Sequence, residues 1–389
     1  MVKKKKIAFV YNRFTVGGTE KSLIHWLRGM DHSEYDVTLW LNDSSGELFS
    51  QIDQRVDIRF WGELFKREYA PLLKRELLCG RLLSCFLSAF YRLLAKIHRD
   101  DNFLNLKYFL RSYRLLETDS YDAVINVGEW NLLQMIVALF YLKSRRKILW
   151  FHNLWSEIRN KRDFSEMRAL VERFDRFIFV SETAKKAFLD DFPEYTERSG
   201  VVFNLIDERE ILKEAQEPVP ETLDRPTIVT VARLSPEKGV VLIPPAARIL
   251  ADQGYRFQWL LIGDGKKREE LKEQIRELGL SEVVILTGTK INPYPYIKNC
   301  SVYVQPSYSE SFSLSVVEAV ILERPVVSAK VPALTELYDE DEYALCDTTP
   351  ASIAEEIRKV LDGEIVIQHR KRDYEDHNRR QLQKLYACI

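Results

Sequence analysis

Short apolar runs recur along this chain in two tandem series, and most are rich in β-branched or aromatic residues. The first series occupies 6–12, 37–41, 56–61, 123–127, 147–151, 177–180 and 201–203. The second occupies 227–232, 258–262, 283–287, 302–305 and 325–329. Helical patterns separate the runs. A continuously apolar strand has both faces covered, and strand–helix alternation covers them by laying helices on a parallel sheet. Between the series lies 218–226, a proline- and acid-rich linker. Two such series predict an α/β protein of two Rossmann-like, doubly wound parallel-sheet domains. At 389 residues the chain is long enough for both.

The pattern places the first domain at 1–206 and the second at 207–366. The last segment, 367–389, reads as a charged helix. Residues 64–116 interrupt the first alternation with 11 Lys/Arg against 4 Asp/Glu, Lys74, Arg75, Arg81 and Arg92 among them. Two readings stand for this helical insert: a solvated hairpin packed on the sheet, or a basic amphipathic surface that docks on anionic membrane. The formal net charge of −1 conceals an asymmetry, because residues 1–150 carry 24 Lys/Arg and 17 Asp/Glu. Such a balance gives no reason to expect nucleic acid as a partner, and leaves anionic lipid as a candidate for the first half. The five cysteines, Cys79, Cys85, Cys300, Cys346 and Cys388, form no CxxC pair or His/Cys cluster. They read as reduced thiols of a cytoplasmic protein. No apolar stretch approaches about 18 residues, so membrane contact is expected to be peripheral, on the inner face of the cell membrane.

In an open α/β sheet, ligands bind beyond the carboxyl ends of the strands. Arg233 follows the run 227–232, with Lys238 and Gly239 five and six residues on. Two cations beside a helix start suit a diphosphate, and glycine at 239 lets backbone approach it. Gly263-Asp264-Gly265 and Gly288 end the next strands, where they can also be simple tight turns. The longest signal is Glu310-Ser311-Phe312-Ser313-Leu314-Ser315-Val316-Val317-Glu318. Its two carboxylates are expected about 12 Å apart if helical rise holds throughout, with Glu318 two turns into the helix. Such a pair can hold hydroxyls of two sugars, one on a transferred hexose and one on a ribose. In the first half, Gly17-Gly18 ends the first strand, with Thr19 as the expected N-cap of the following helix. His152 ends the run 147–151. Asp339-Glu340-Asp341 spells an Asp-x-Asp metal pattern but sits in an acidic loop, and no metal is assigned to it.

Taken together, Gly17-Gly18-Thr19-Glu20, Val180-Ser181-Glu182, Phe203-Asn204, Arg233-Leu234-Ser235-Pro236-Glu237-Lys238-Gly239, Gly263-Asp264-Gly265, the Glu-x7-Glu pair and Pro325-Val326-Val327 resemble the retaining glycosyltransferases of family 4. The resemblance covers nearly the whole chain and implies the GT-B fold, two Rossmann-like domains facing each other across a cleft. It implies that Arg233 and Lys238 bind the donor diphosphate and that Glu310 contacts the transferred sugar. Glu318 would take the ribose, and His152 would lie near the anomeric carbon. Gly17 and Gly18 would approach the phosphates or the acceptor, while Gly263, Phe312, Ser313 and Leu314 complete the donor site. His152 and Glu310 are the catalytic candidates. The resemblance implies no metal or other cofactor, a nucleotide-sugar donor with UDP favoured, and a glycan or lipid-linked acceptor of a bacterial surface-polysaccharide pathway. The last helix would cross back onto the first domain.

The sequence departs from the family in three places. A Gly-Gly pair is common after Pro-Val-Val, where this chain has Val331-Pro332-Ala333-Leu334-Thr335-Glu336; amides at Leu334 and Thr335 are the expected substitutes. Asn153 stands where Asp is common after the histidine. Asn204-Leu205 replaces Asn-Gly, which implies a stiffer interdomain hinge. Two other functions remain open: a GT-B scaffold without turnover, and a sugar-nucleotide epimerase.

Overall fold

The computed structural model describes residues 3–65, 82–97, 119–128, 131–159, 164–219 and 223–389. Its first sheet comprises β1 (Lys5–Val10), β2 (Tyr35–Leu41), β3 (Asp57–Phe60), β4 (Ser120–Val127), β5 (Lys143–Phe151), β6 (Arg176–Phe179) and β7 (Ser199–Val201). The second comprises β8 (Thr227–Val231), β9 (Gln258–Ile262), β10 (Val284–Gly288), β11 (Val302–Gln305), β12 (Val326–Ala329) and β13 (Ala344–Cys346). Strand orders are β3-β2-β1-β4-β5-β6-β7 and β10-β9-β8-β11-β12-β13. All named strand pairs are parallel. Each expected run falls on a strand, 201–203 only at Val201, and β13 is an addition that the apolar pattern did not signal.

Both sheets reverse their winding at one point, between β1 and β4 in the first and between β8 and β11 in the second. Loops leaving such a switch point splay apart and open a crevice. The loop after β1 carries Gly17, the loop after β8 carries Arg233 and Lys238, and the loop after β11 carries Glu310. Topology alone therefore brings three distant motifs to two facing crevices.

Strand periodicity divides the cores. On β5, Ile148 and Trp150 enter one buried cluster while Leu149 and Phe151 enter the cluster on the opposite face, as alternation of side chains demands. The second of these is aromatic, with Phe151 stacked on Phe179 at 5.0 Å and Trp155, Phe188 and Phe192 around them. The first cluster continues from Trp26 and Trp150 of the first domain to Tyr303, Phe312 and Val316 of the second. A shared apolar cluster holds the domains in contact through burial that neither has alone.

The helices that matter below, numbered in chain order, are α1 (Gly18–Gly29), α2 (Leu82–Ile97), α3 (Glu182–Leu189), α4 (Glu208–Glu214), α5 (Tyr294–Lys298), α6 (Leu314–Ile321), α7 (Pro332–Thr335) and α8 (Tyr374–Cys388). Thr19 is not the cap of α1: the helix begins at Gly18 with Gly17 as its N-cap, and no side chain caps it. Glu20 in the first turn instead accepts from the Thr15 hydroxyl at 3.0 Å. Helix α8 packs on the first domain, where Tyr386 stacks on Tyr35 at 4.6 Å and Gln381 accepts from the Phe203 amide. Most of the basic insert expected over 64–116, Lys74, Arg75 and Arg81 included, lies outside the described residues. No helix among the described residues is long and apolar enough to cross a membrane.

Candidate active site

One cavity of about 380 Å³ lies between the two crevices and is lined by both domains. Gly17, Gly18, His152, Arg233, Lys238, Gly263, Glu310, Phe312, Ser313, Leu314 and Glu318 all line it. Its other walls come from residues that sequence reasoning passed over, including Lys21, Gln305 and Lys290.

Glu310 is buried, and three neighbouring donors hold its carboxylate while leaving part of its acceptor capacity open. Lys238 Nζ donates to Oε2 at 2.8 Å, while the Ser307 hydroxyl at 2.7 Å and the Gln305 amide at 3.1 Å donate to Oε1. A buried charge requires this kind of compensation. The same contacts fix the carboxylate's direction, so it presents acceptor lone pairs at a set place. Gly239 beside Lys238 has φ +62, and a Cβ there would lie 2.0 Å from the Pro306 carbonyl oxygen. Its freedom is therefore needed to let the β8 and β11 loops touch, and not only to approach a phosphate. Gly263 serves likewise: at φ +145 its missing side chain leaves room for the Ala232 carbonyl, 2.0 Å from where a Cβ would sit. Arg233, half exposed, pairs with Glu237 at 3.7 Å.

Helix α6 starts only at Leu314, so residues 310–313 are loop and Glu318 sits about one turn in, not two. The spacing estimate that assumed continuous helix does not apply. Glu318 is buried and faces the other domain. Lys21 of α1 approaches its Oε1 at 3.8 Å, and the Tyr294 hydroxyl donates to the same oxygen at 3.3 Å. The Lys21 ammonium also donates to that hydroxyl and lies over the Tyr294 ring, 4.4 Å from its centroid. Burial raises the Glu318 pKa above the usual carboxylate range, and Lys21 opposes the shift.

His152 is buried at the end of β5, against the Trp150 ring. Burial lowers its pKa to about 3, so the imidazole is neutral at pH 7. Its Nε2 is one of the buried polar atoms without a partner among the described residues. Two bonds tie this region to the second domain: the Ser311 hydroxyl donates to the His152 carbonyl, and the Ser309 hydroxyl to Glu157, each at 2.6 Å.

The departures resolve structurally. None of 331–336 lines the cavity, and the Leu334 amide bonds the Val331 carbonyl at 3.1 Å. The Leu334 amide is thereby taken up within the turn that opens α7, Pro332–Thr335. Glu336 then reaches the first domain, where its carboxylate accepts from the amides of Glu182 and Thr183 at 2.6 and 2.7 Å and from the Thr183 hydroxyl at 2.5 Å. It sits at the N-terminus of α3, where orphan amides and the helix dipole favour an anion. Asp339 and Asp341 are held by Arg370. The hinge is braced: Asn204 Oδ1 accepts from Ser22, and Asn378 bonds both the amide and carbonyl of Ile206.

Residues 16–210 match the family described as Glycosyltransferase Family 4, and residues 213–380 match Glycosyl transferases group 1. The 2-deoxystreptamine N-acetyl-D-glucosaminyltransferase of Niallia circulans is 28% identical over 150 residues, 38% of this chain and 39% of that protein. An N-acetylgalactosaminyltransferase of Campylobacter jejuni, named for a diphospho-undecaprenol acceptor, is 26% identical over 253 residues, 62% of this chain and 66% of its own. The chain thus spans less than two thirds of the length of these relatives. Among solved structures, HepE of Anabaena, crystallised with UDP and glucose, is similar over 98% of this chain and 100% of its own, with a TM-score of 0.68 and 18% identity. The fold is GT-B, and the chain belongs to Glycosyltransferase Family 4.

Proposed function

We propose that this protein transfers a hexose-type sugar from a nucleotide-sugar donor, a UDP-sugar by preference, to a lipid-linked or envelope glycan acceptor, with retention and without a metal. The observation that carries this reading is one cavity, shared by both domains, that gathers Arg233 and Lys238 with the buried carboxylates Glu310 and Glu318. Arg233 and Lys238 neutralise the donor diphosphate, Glu310 receives hydroxyls of the transferred sugar, and Glu318 receives those of the ribose. The acceptor oxygen attacks the anomeric carbon from the face the diphosphate leaves. That bond forms as the carbon–phosphate-oxygen bond breaks, and the acceptor's proton passes to the departing phosphate oxygen. Such a reaction asks the protein for positioning and charge stabilisation, which a pre-oriented Glu310–Lys238 pair offers. The Campylobacter relative's acceptor and the UDP bound by HepE support the substrate classes. Helix α2 exposes Phe86, Leu87, Phe90 and Leu93, which supports peripheral membrane contact near a lipid-bound acceptor.

The test is a donor screen by nucleotide release with UDP-, GDP-, ADP- and CMP-sugars, with EDTA and then with Mn²⁺. Release from a UDP-sugar that EDTA leaves intact is the expected result. Loss restored by Mn²⁺ overturns the metal-independent reading, and silence together with no nucleotide binding turns the case to a non-catalytic scaffold.

A further inference from the structure

Two non-glycine residues among those described have positive φ. Glu323, at φ +55, is exposed just beyond the end of α6. Helix ends commonly close with a left-handed residue, so it has a local explanation. Ser313 has none of this kind. It stands at φ +63, ψ +59 as the N-cap of α6, a place normally held by extended backbone. A serine N-cap normally offers its hydroxyl to an amide of the first turn, yet Ser313 caps nothing. The hydroxyl is buried and has no hydrogen-bond partner among the described residues. The position thus carries backbone strain that a glycine would not have, and a buried polar atom that costs free energy while unpaired.

The surroundings show where that hydroxyl can be satisfied. Ser313 lines the cavity together with Glu310 and Phe312. The cavity's other unpaired buried polar atom is the His152 Nε2, from the opposite domain. The two segments are pinned together, because Ser311 bonds the His152 carbonyl at 2.6 Å. Each wall therefore contributes one residue with an unpaired neutral group to the cavity that the buried Glu310 also lines. Cations face the diphosphate in the proposed reading, whereas a neutral hydroxyl matches a neutral hydroxyl.

We propose that Ser313 is a specificity-determining residue whose side-chain hydroxyl hydrogen-bonds a hydroxyl of the transferred sugar. This rests on the donor-site reading given above. It explains why a strained, unpaired serine occupies a position where glycine would be the relaxed choice, and it gives the orphan oxygen a partner on donor binding.

The experiment compares wild type with Ser313→Gly and Ser313→Ala, using UDP-glucose, UDP-galactose, UDP-N-acetylglucosamine, UDP-N-acetylgalactosamine and UDP alone. Ser313→Gly relieves the strain, so its melting temperature rises, while Ser313→Ala keeps the strain and loses only the hydroxyl. Both variants lose about tenfold in kcat/KM on the donor that wild type turns over, as expected for an unmatched buried hydrogen bond. Their discrimination among the four sugars narrows, and affinity for UDP alone stays within about twofold. An active wild type whose kcat/KM both variants reproduce overturns this inference and leaves the transferase reading standing. Equal loss of affinity for UDP alone also overturns it, since the hydroxyl would then serve the diphosphate. A wild type that neither turns over nor binds any of these probes overturns the UDP-sugar reading on which this inference rests, and this inference with it.

Discussion

The two walls of the cleft are built on different principles. The second-domain wall holds ionisable side chains that satisfy one another before any ligand arrives, as Lys238, Ser307 and Gln305 do around Glu310. The first-domain wall offers backbone at Gly17 and Gly18, a neutral buried imidazole at His152, and one lysine that reaches across to Glu318. The contrast teaches that charge recognition is pre-organised on one side alone, while the other completes it only where the domains meet.

The largest expected effect probes the neutral imidazole. His152 in the unfolded chain takes a proton below about pH 6.5, but the folded chain refuses it until about pH 3. The folded state's advantage is full above pH 6.5 and is lost as pH falls toward 3, by roughly 3–5 kcal/mol. Urea unfolding across that window will show a shallower pH dependence in His152→Asn. An unchanged slope would remove His152 from the comparison. Next comes the charged wall. Glu310→Ala and Lys238→Ala each strand a buried or half-buried partner and reduce turnover at least about tenfold, or about 1.4 kcal/mol. Wild-type rates in both would sink the pre-organised site.

Contacts between the walls follow, with smaller effects. Glu336→Gln removes the charge from the α3 amides and costs about 1 kcal/mol. Small-angle scattering of the donor-free variant should show a larger radius of gyration; the wild-type value would mean that the remaining contacts between the domains hold the cleft shut. Lys21→Met should raise the donor KM about threefold, about 0.7 kcal/mol, with kcat unchanged. A drop in kcat instead would place Lys21 in the chemistry and erase the distinction between the walls.

Much of this was legible in the sequence, and the contrast between the walls explains how much. Buried and half-buried parallel strands read as apolar runs, so twelve of the strands named above stood out. The exception is β13, Ala344–Cys346, three residues long behind an acidic loop and too short for any period. Arg233, Lys238, Glu310 and Glu318 were legible because the second domain spends one short loop or helix on each, in chain order. Lys21 and Glu336 were not, because their meaning lies in partners far along the chain; Glu336 and Glu182 are 154 residues apart. Thr19 misled because a serine or threonine before a helical pattern reads as a cap, while Gly17 does that service. Ser313 was placed in the donor site by the Glu-x7-Glu motif, but its strain was not legible, since no sequence pattern reports a left-handed backbone at a helix start.

The chain passes between the domains twice, once near Asn204–Ile206 and again before α8, whose residues Asn378 and Gln381 grip that same first passage. Two adjacent covalent passages act like two pins of one door: they leave rotation about the line joining them and resist sliding or twisting. Glu336 sits beside one pin, where Arg372 donates to the Leu337 carbonyl, and Lys21 beside the other, next to Ser22 on Asn204, so both polar ties between the walls lie close to the hinge. A donor would then enter from the side away from both passages, which makes the route of substrate entry a property of where the polypeptide crosses.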